Sequence, residues 1–235
     1  MAINLLYKHE WPINDKIHVV IPTVRDIIKD EDAYYGLVSL FTAAPYDMML
    51  TLDAAGIDFR DVNPFELFLM LFGSLKEMDV SLVLGDLDLK NFVLKQSELN
   101  GEIVLYDPDN DIIIDRAIHE KIAVCLRTIH GFEKNNKKVL DEETRKYLLE
   151  RARKKRNRKN KSTDSQLEPL ITAMVNTEQF KYNYETVLDL TIYQFNESVR
   201  QIIKKVDYDN RMYGIYSGTI SAKDIKKDEL NWLVH

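Results

Sequence analysis

The side chains that could do chemistry in this sequence are few and widely spaced. Five histidines, His9, His18, His119, His130 and His235, lie far apart. None forms the His-Glu-x-x-His pair that sets two imidazoles on one helix face for zinc. The single cysteine, Cys125, cannot build a thiolate site or an internal disulfide, and it falls among Ile118, Ile122, Leu126 and Ile129 at helical spacing. Its expected role is a small core residue, not a nucleophile. His119–Glu120 follows the capping residue Asp115, which predicts a capping or surface position and no general-base work. The acidic run Asp107-x-Asp109-x-Asp111 opens like a calcium loop, but Ile112 and Ile118 occupy the sixth and twelfth positions, where that loop needs glycine and glutamate. A polar turn between two strands, continuing into Asp115, is the expectation there. Asp86 and Asp88 alternate with Leu87 and Leu89, the pattern of a half-exposed strand with acids outward. Phosphate-loop, dinucleotide-binding and serine-elbow motifs are absent from the sequence. No catalytic, cofactor-binding or metal-ligating residue is assigned, no cofactor is expected, and the chain reads as non-enzymatic.

Charge is more informative. Residues 151–161 read RARKKRNRKNK, eight basic side chains with no acid, in a chain whose formal net charge is −6. The remainder therefore carries −14. Arg151, Arg153, Lys154, Lys155, Arg156, Arg158, Lys159 and Lys161 form a candidate polyanion-binding tract, since clustered cations release counterions from nucleic acid. A solvated helix end is the plainer expectation for such a run, because no aromatics interleave within it to stack bases.

These groups must be positioned by a globular frame. A hydrophobic fraction of 45% with 30% charged residues predicts a packed core. No run of about 18 apolar residues suggests a membrane span, the first residues do not read as a secretory signal, and one cysteine fits a reducing compartment; a cytoplasmic location is expected. Lys16–Ile21 reads as a strand ending at Pro22, after an extended arm. Thr23 then caps one long helix with Val24, Ile27, Tyr34, Leu37, Val38 and Phe41 on its apolar face. A second helix is expected over Tyr46–Ala55, and Asn63–Pro64 starts a third, apolar nearly all round from Phe65 to Phe72. Short strands are expected at Val80–Leu84, Phe92–Lys95, Glu102–Tyr106 and Ile112–Ile114, with turns at Asn100–Gly101 and 107–110. Asp115 and Asp141 open further helices, and the second runs out into the basic tract. Ser162–Thr163–Asp164–Ser165 reads as a polar hinge. Leu167, Leu170, Ile171, Met174 and Val175 follow one-face helical spacing. Phe180, Tyr182 and Tyr184 then lead to a helix that Thr191 and Gln194 open at capping-box spacing. Its apolar stripe is Ile192, Phe195, Val199, Ile202, Ile203 and Val206. One or two short helices end on Trp232.

Leu190, Thr191, Tyr193, Gln194 and Phe195, then Tyr208, then Asn231–Trp232, are similar to the C-terminal part of a diverse group of tailed-phage proteins. The N-terminal half is similar in outline: a strand ending at Pro22–Thr23, a helix with paired tyrosines, and Asp111–Ile114 leading into a helix with Arg127–Thr128–Ile129. The resemblance implies a tail-assembly chaperone or related tail-morphogenesis protein, a non-enzymatic factor that coats the tape measure protein in the host cytoplasm. The basic tract departs from that pattern. The sequence thus predicts a helix-dominant α+β protein, with a mixed part over 1–133 carrying a small antiparallel sheet and a helical part over 134–235, separate or packed as one unit. A tail protein, tape measure or tube, is the expected partner. Tyr182, Tyr184, Tyr193, Phe195 and Trp232 are the candidate protein-interaction residues. A virion structural component of the neck, tail or baseplate is the alternative, and a nucleic-acid binder using the basic tract the second.

Overall fold

The computed structural model describes residues 4–98, 101–135, 137, 139–158, 165–221, 223 and 225–233. Asn100, Lys159, Lys161, residues 162–164 of the expected hinge at 162–165 and His235 lie outside the described residues, as does the side chain of Arg158. The architecture is helix-dominant α+β, with two small antiparallel sheets in the N-terminal half and helices in the C-terminal half.

The chain opens with a hairpin instead of an extended arm. β1 (Glu10–Pro12) pairs with β2 (His18–Val20) in the register Trp11↔Val19. The Asn14 side chain closes the turn by accepting from the Lys16 and Ile17 amides at 2.9 and 2.7 Å. Thr23 caps α1 (Val24–Ile28) in a full capping box with Asp26. The expected long helix then breaks. Asp30 leaves helical geometry and accepts from the Ala33 amide, starting α2 (Glu31–Thr42) as a new helix. Three consecutive acids favour such an N-terminus over a helix interior, where they would sit against no unpaired amides. α3 (Met49–Ala54) and α4 (Pro64–Leu75) follow, the latter with the Asn63–Glu66 capping box that its sequence announces.

Val80–Leu84 is not a strand. The Asp79 carboxylate accepts from the Ser81 amide at 3.0 Å and turns the chain into α5 (Ser81–Leu84). Val80, Val83 and Leu84 are buried together, a helical and not an alternating pattern. Gly85 holds φ +61, and a Cβ there would stand 2.6 Å from His18 Nε2, so α5 packs on β2 only with glycine at this position. Asp86 and Asp88 consequently lie on a turn. Asp88 caps a 3-10 turn at Leu89–Asn91 that drops Leu89 and Phe92 into the core. The second sheet has order β3-β4-β5, from β3 (Val93–Gln96), β4 (Ile103–Asp107) and β5 (Ile112–Ile114). Leu105 and Ile114, paired across the sheet, point into the core. The 107–111 turn is the expected polar one, with Asp107 accepting from the Asp109 amide at 3.0 Å and the Asn110 side chain at 2.7 Å.

Asp115 caps α6 (Arg116–His130), and Cys125 is fully buried on its inner face. α7 (Glu142–Arg158), α8 (Leu167–Val175) and α9 (Ile192–Tyr216) complete the helices. One buried cluster contains residues from both halves: Tyr34, Phe41, Phe68 and Phe92 share it with Ile171, Met174, Phe180 and Phe195. Two backbone links tie the halves. Val24 donates to the Leu190 carbonyl at 2.9 Å and Ile192 to the Pro22 carbonyl at 2.8 Å, so the capping threonines Thr23 and Thr191 lie side by side as an antiparallel bridge. Glu31 of α2 adds a long-range cap to α8, accepting from the amides of Gln166 and Leu167 at 2.8 and 3.1 Å, beside the local one from Ser165, whose hydroxyl accepts from the Glu168 amide at 2.9 Å.

Candidate interaction surfaces and the central cavity

A cavity of about 810 Å³ lies between the outer face of the β3-β4-β5 sheet and the N-termini of α4 and α6. Val104, Tyr106, Ile113 and Phe65 give it apolar walls, and charged residues surround them. Those charges are engaged with one another: Arg116 with Glu102 at 3.2 Å, Lys134 with Glu120 at 2.7 Å, Lys95 over the Tyr106 ring at 4.6 Å. Asp115 caps α6.

His119 also lines this cavity, yet it neither caps a helix nor faces solvent, as its sequence position had suggested. It is 2% exposed, with its ring 4.4 Å from that of Phe68 and 5.7 Å from that of Phe65. The α4 N-terminus and α6 converge there, a tertiary fact with no local signal. Burial pushes the imidazole down to about 4, against a smaller opposing pull from Glu120, so His119 is neutral near pH 7. Its Nε2 has no hydrogen-bond partner. Buried Arg127 reaches the Thr42 carbonyl through Nη2 at 3.1 Å and stands 3.8 Å from Glu120 through Nη1. Cys125 is in the core and not in the cavity wall, and burial pushes its thiol well up. Among the described residues, no three His, Cys, Asp or Glu side chains converge to hold a metal ion.

The candidate interaction residues separate. Phe195 is no surface contact: it is fully buried and meets Phe180 edge-on at 6.3 Å. A residue one turn inside a capped helix, with its Thr191 cap itself buried, packs inward. Tyr193 is half-buried, its hydroxyl raised chiefly by desolvation. Tyr182, Tyr184 and Trp232 are exposed, and Tyr184 accepts from the Asn176 side chain at 3.2 Å. The apolar stripe of α9 is buried only at its start. Ile203 is 62% exposed, and Tyr213 and Tyr216, beyond the predicted stripe, are 77% and 83% exposed. Their spacing from Val206 continues the heptad of Val199 and Ile202, a signal present in the sequence.

Beyond α9 the chain folds back along it. A Cβ on Gly214 would lie 2.5 Å from Ile220 Cδ1, so the glycine admits Ile220 against the helix. The Arg211–Glu229 pair at 2.8 Å and a bond from Gln201 to the Trp232 carbonyl at 2.7 Å hold the returning segment. Tyr208 and Trp232 thereby converge on one ammonium: Lys205 Nζ is 5.9 Å from the first ring and 5.8 Å from the second.

Residues 151–158 of the basic tract form the second half of α7. The helix is held to the body by ions more than by apolar contact, with Leu149 its buried apolar anchor. Arg145 pairs with Asp53 at 2.9 Å and stands 3.2 Å from Asp58, Arg60 bridges Asp58 and Glu142, and Arg153 reaches Asp53. The Arg60 hydrogen bonds hold the Asp58 carboxyl down to about 2. Lys154 pairs with Glu150 on an exposed face. Arg151, Lys155 and Arg156 are exposed, with no ion-pair partner among the described residues.

What the fold and its surfaces define is a helix-dominant α+β protein that carries one apolar and one cationic helix face outside its core. Residues 156–235 match the family model described as the YomV second domain, a phage-associated domain. No curated protein and no solved structure matches the chain. Among the described residues, no helix is long and apolar enough to cross a membrane.

Proposed function

We propose that this chain is a non-enzymatic phage tail-assembly protein that binds a helical client, such as the tape measure protein, in the manner of a chaperone. The observation that carries the proposal is the distal part of α9, where Ile203, Val206, Tyr213 and Tyr216 lie exposed, the last three on the heptad begun by Val199 and Ile202 and broken only at Asp209, with Ile203 beside it. A helix that presents such a stripe beyond its own core is suited to receive another amphipathic helix. Aromatic side chains supply contact area at interfaces with little entropy to lose. The match of residues 156–235 to a phage-associated domain supports the phage setting. The charge of −14 outside the basic tract would keep a client-loaded complex dispersed through like-charge repulsion.

Co-expression with the tape measure protein tests this. Wild type should raise the client's soluble yield, and Ile203→Asp with Tyr213→Ala and Tyr216→Ala should abolish the gain, since all three are exposed and outside the core. An unchanged yield with wild type sinks the proposal. Mass spectrometry of purified particles separates a chaperone, absent or substoichiometric, from a component retained in the neck, tail or baseplate.

A further inference from the structure

We infer that the outward face of α7 is a binding surface for single-stranded nucleic acid, with Tyr147 stacking on a base and Arg151, Lys154 and Lys155 contacting phosphates. The inference is independent of the α9 reading, because the two helix faces share no residue.

The orientation of α7 decides which of its side chains are available. Arg145, Leu149 and Arg153 recur every four residues and turn toward the body, two to carboxylates and one to the core. At 100° per residue the opposite side of the helix carries Tyr147, Arg151 and Lys154, with Lys155 beside them. The sequence alone suggests a basic run without interleaved aromatics; the helix places an aromatic one turn ahead of it. Tyr147 is 61% exposed among the described residues.

Chemistry then selects the partner. Arg151 and Lys155 have no counter-ion among the described residues. Lys154 pairs with Glu150, at 2.6 Å, and both side chains are about two-thirds exposed. Such a pair is held weakly and can yield to a phosphate. A row of cations tracks a polyanionic backbone, and an exposed ring among them offers a sequence-tolerant stacking platform; together they are the two parts of a single-strand site. An acidic protein face would satisfy the cations but would give the ring no planar partner.

Fluorescence anisotropy with a labelled 20-nucleotide oligo-dT, over a series of salt concentrations, tests the assignment on the full chain. Wild type should bind with an affinity that falls with salt by about 0.7 log units per phosphate contact for each log unit of salt. The triple variant Arg151→Gln, Lys154→Gln, Lys155→Gln should flatten that slope by about 2. Tyr147→Ala should lose about 10-fold in affinity with the slope unchanged, and Tyr147→Phe should restore it. All four positions are exposed, and far-UV circular dichroism confirms that the variants keep the wild-type helix content. No salt-dependent binding by wild type overturns the inference, as does a triple variant that binds like wild type. Poly-glutamate binding as tight as oligo-dT, with Tyr147→Ala indifferent to both, also overturns it and assigns the face to an acidic protein instead.

Discussion

His119 and His130 are both buried and both neutral near pH 7, and the pull of Glu120 on His119 is too small to offset desolvation. His130 bonds the Tyr34 hydroxyl through Nε2 at 2.9 Å and stacks on Phe132, and burial pushes it down to about 4, like His119. In the unfolded chain both return to about 6.5. Between those values the unfolded state binds more protons than the folded one, so stability rises with pH there. The contribution is complete above pH 6.5 and is lost as the pH falls toward 4, on the order of 2–3 kcal/mol for each histidine. Urea midpoints at pH 7, 5.5 and 4.5 should fall steadily, and His119→Phe should remove about half of the slope. A flat profile would show that the two rings are not desolvated as described. Asp58, held down to about 2, acts in a separate window below pH 4.

At the scale of elements, much of the capping chemistry was legible where partner and cap are neighbours in sequence. Asn63–Glu66, Asp115 and Thr191–Gln194 each start the helix expected of them, while Thr23–Asp26 starts a helix that ends at Ile28, short of the long one expected. What misled was a local pattern with two meanings. Val80–Leu84 is a short apolar run that suits strand or helix, and the Asp79–Ser81 contact settled it as helix. The Asp30 break in the first helix is of the same kind. Among the contacts that hold the returning segment beyond α9, the packing of Ile220 on Gly214 is one that spacing does not announce. Gly214→Ala should raise intrinsic helix propensity by about 1 kcal/mol yet force Ile220 off the helix. The expected readout is greater mobility of Trp232 and loss of its NMR cross-peaks to Lys205, with the melting temperature nearly unchanged. Retention of those cross-peaks would mean that Ile220 yields without freeing the segment.

At the scale of the whole molecule, a buried cluster that includes Phe41, Phe68, Ile171 and Phe195 couples the two halves, with the Thr23–Thr191 bridge and the Glu31 cap across the same boundary. Unfolding in urea should therefore be a single transition. In a Trp232→Phe variant, fluorescence of Trp11, which packs against the cluster from β1, should coincide with far-UV circular dichroism of the helices. Two separated transitions would show independently stable halves.

By itself the sequence determined the class of this protein: helix-dominant, with short antiparallel strands, capped helix starts and a basic segment on an acidic remainder. Those properties depend on side chains within a few residues of each other, through capping bonds, alternation and helical period. The tertiary structure decided which apolar and charged side chains are spent and which are left over. It buried Phe195 and His119, drew Tyr208 and Trp232 around Lys205, and paired Arg145 and Arg153 with Asp53 while leaving Tyr147 and Arg151 exposed. Whether a given face of a helix meets protein or water depends on elements distant in sequence, because burial is a property of the packed assembly and not of the segment.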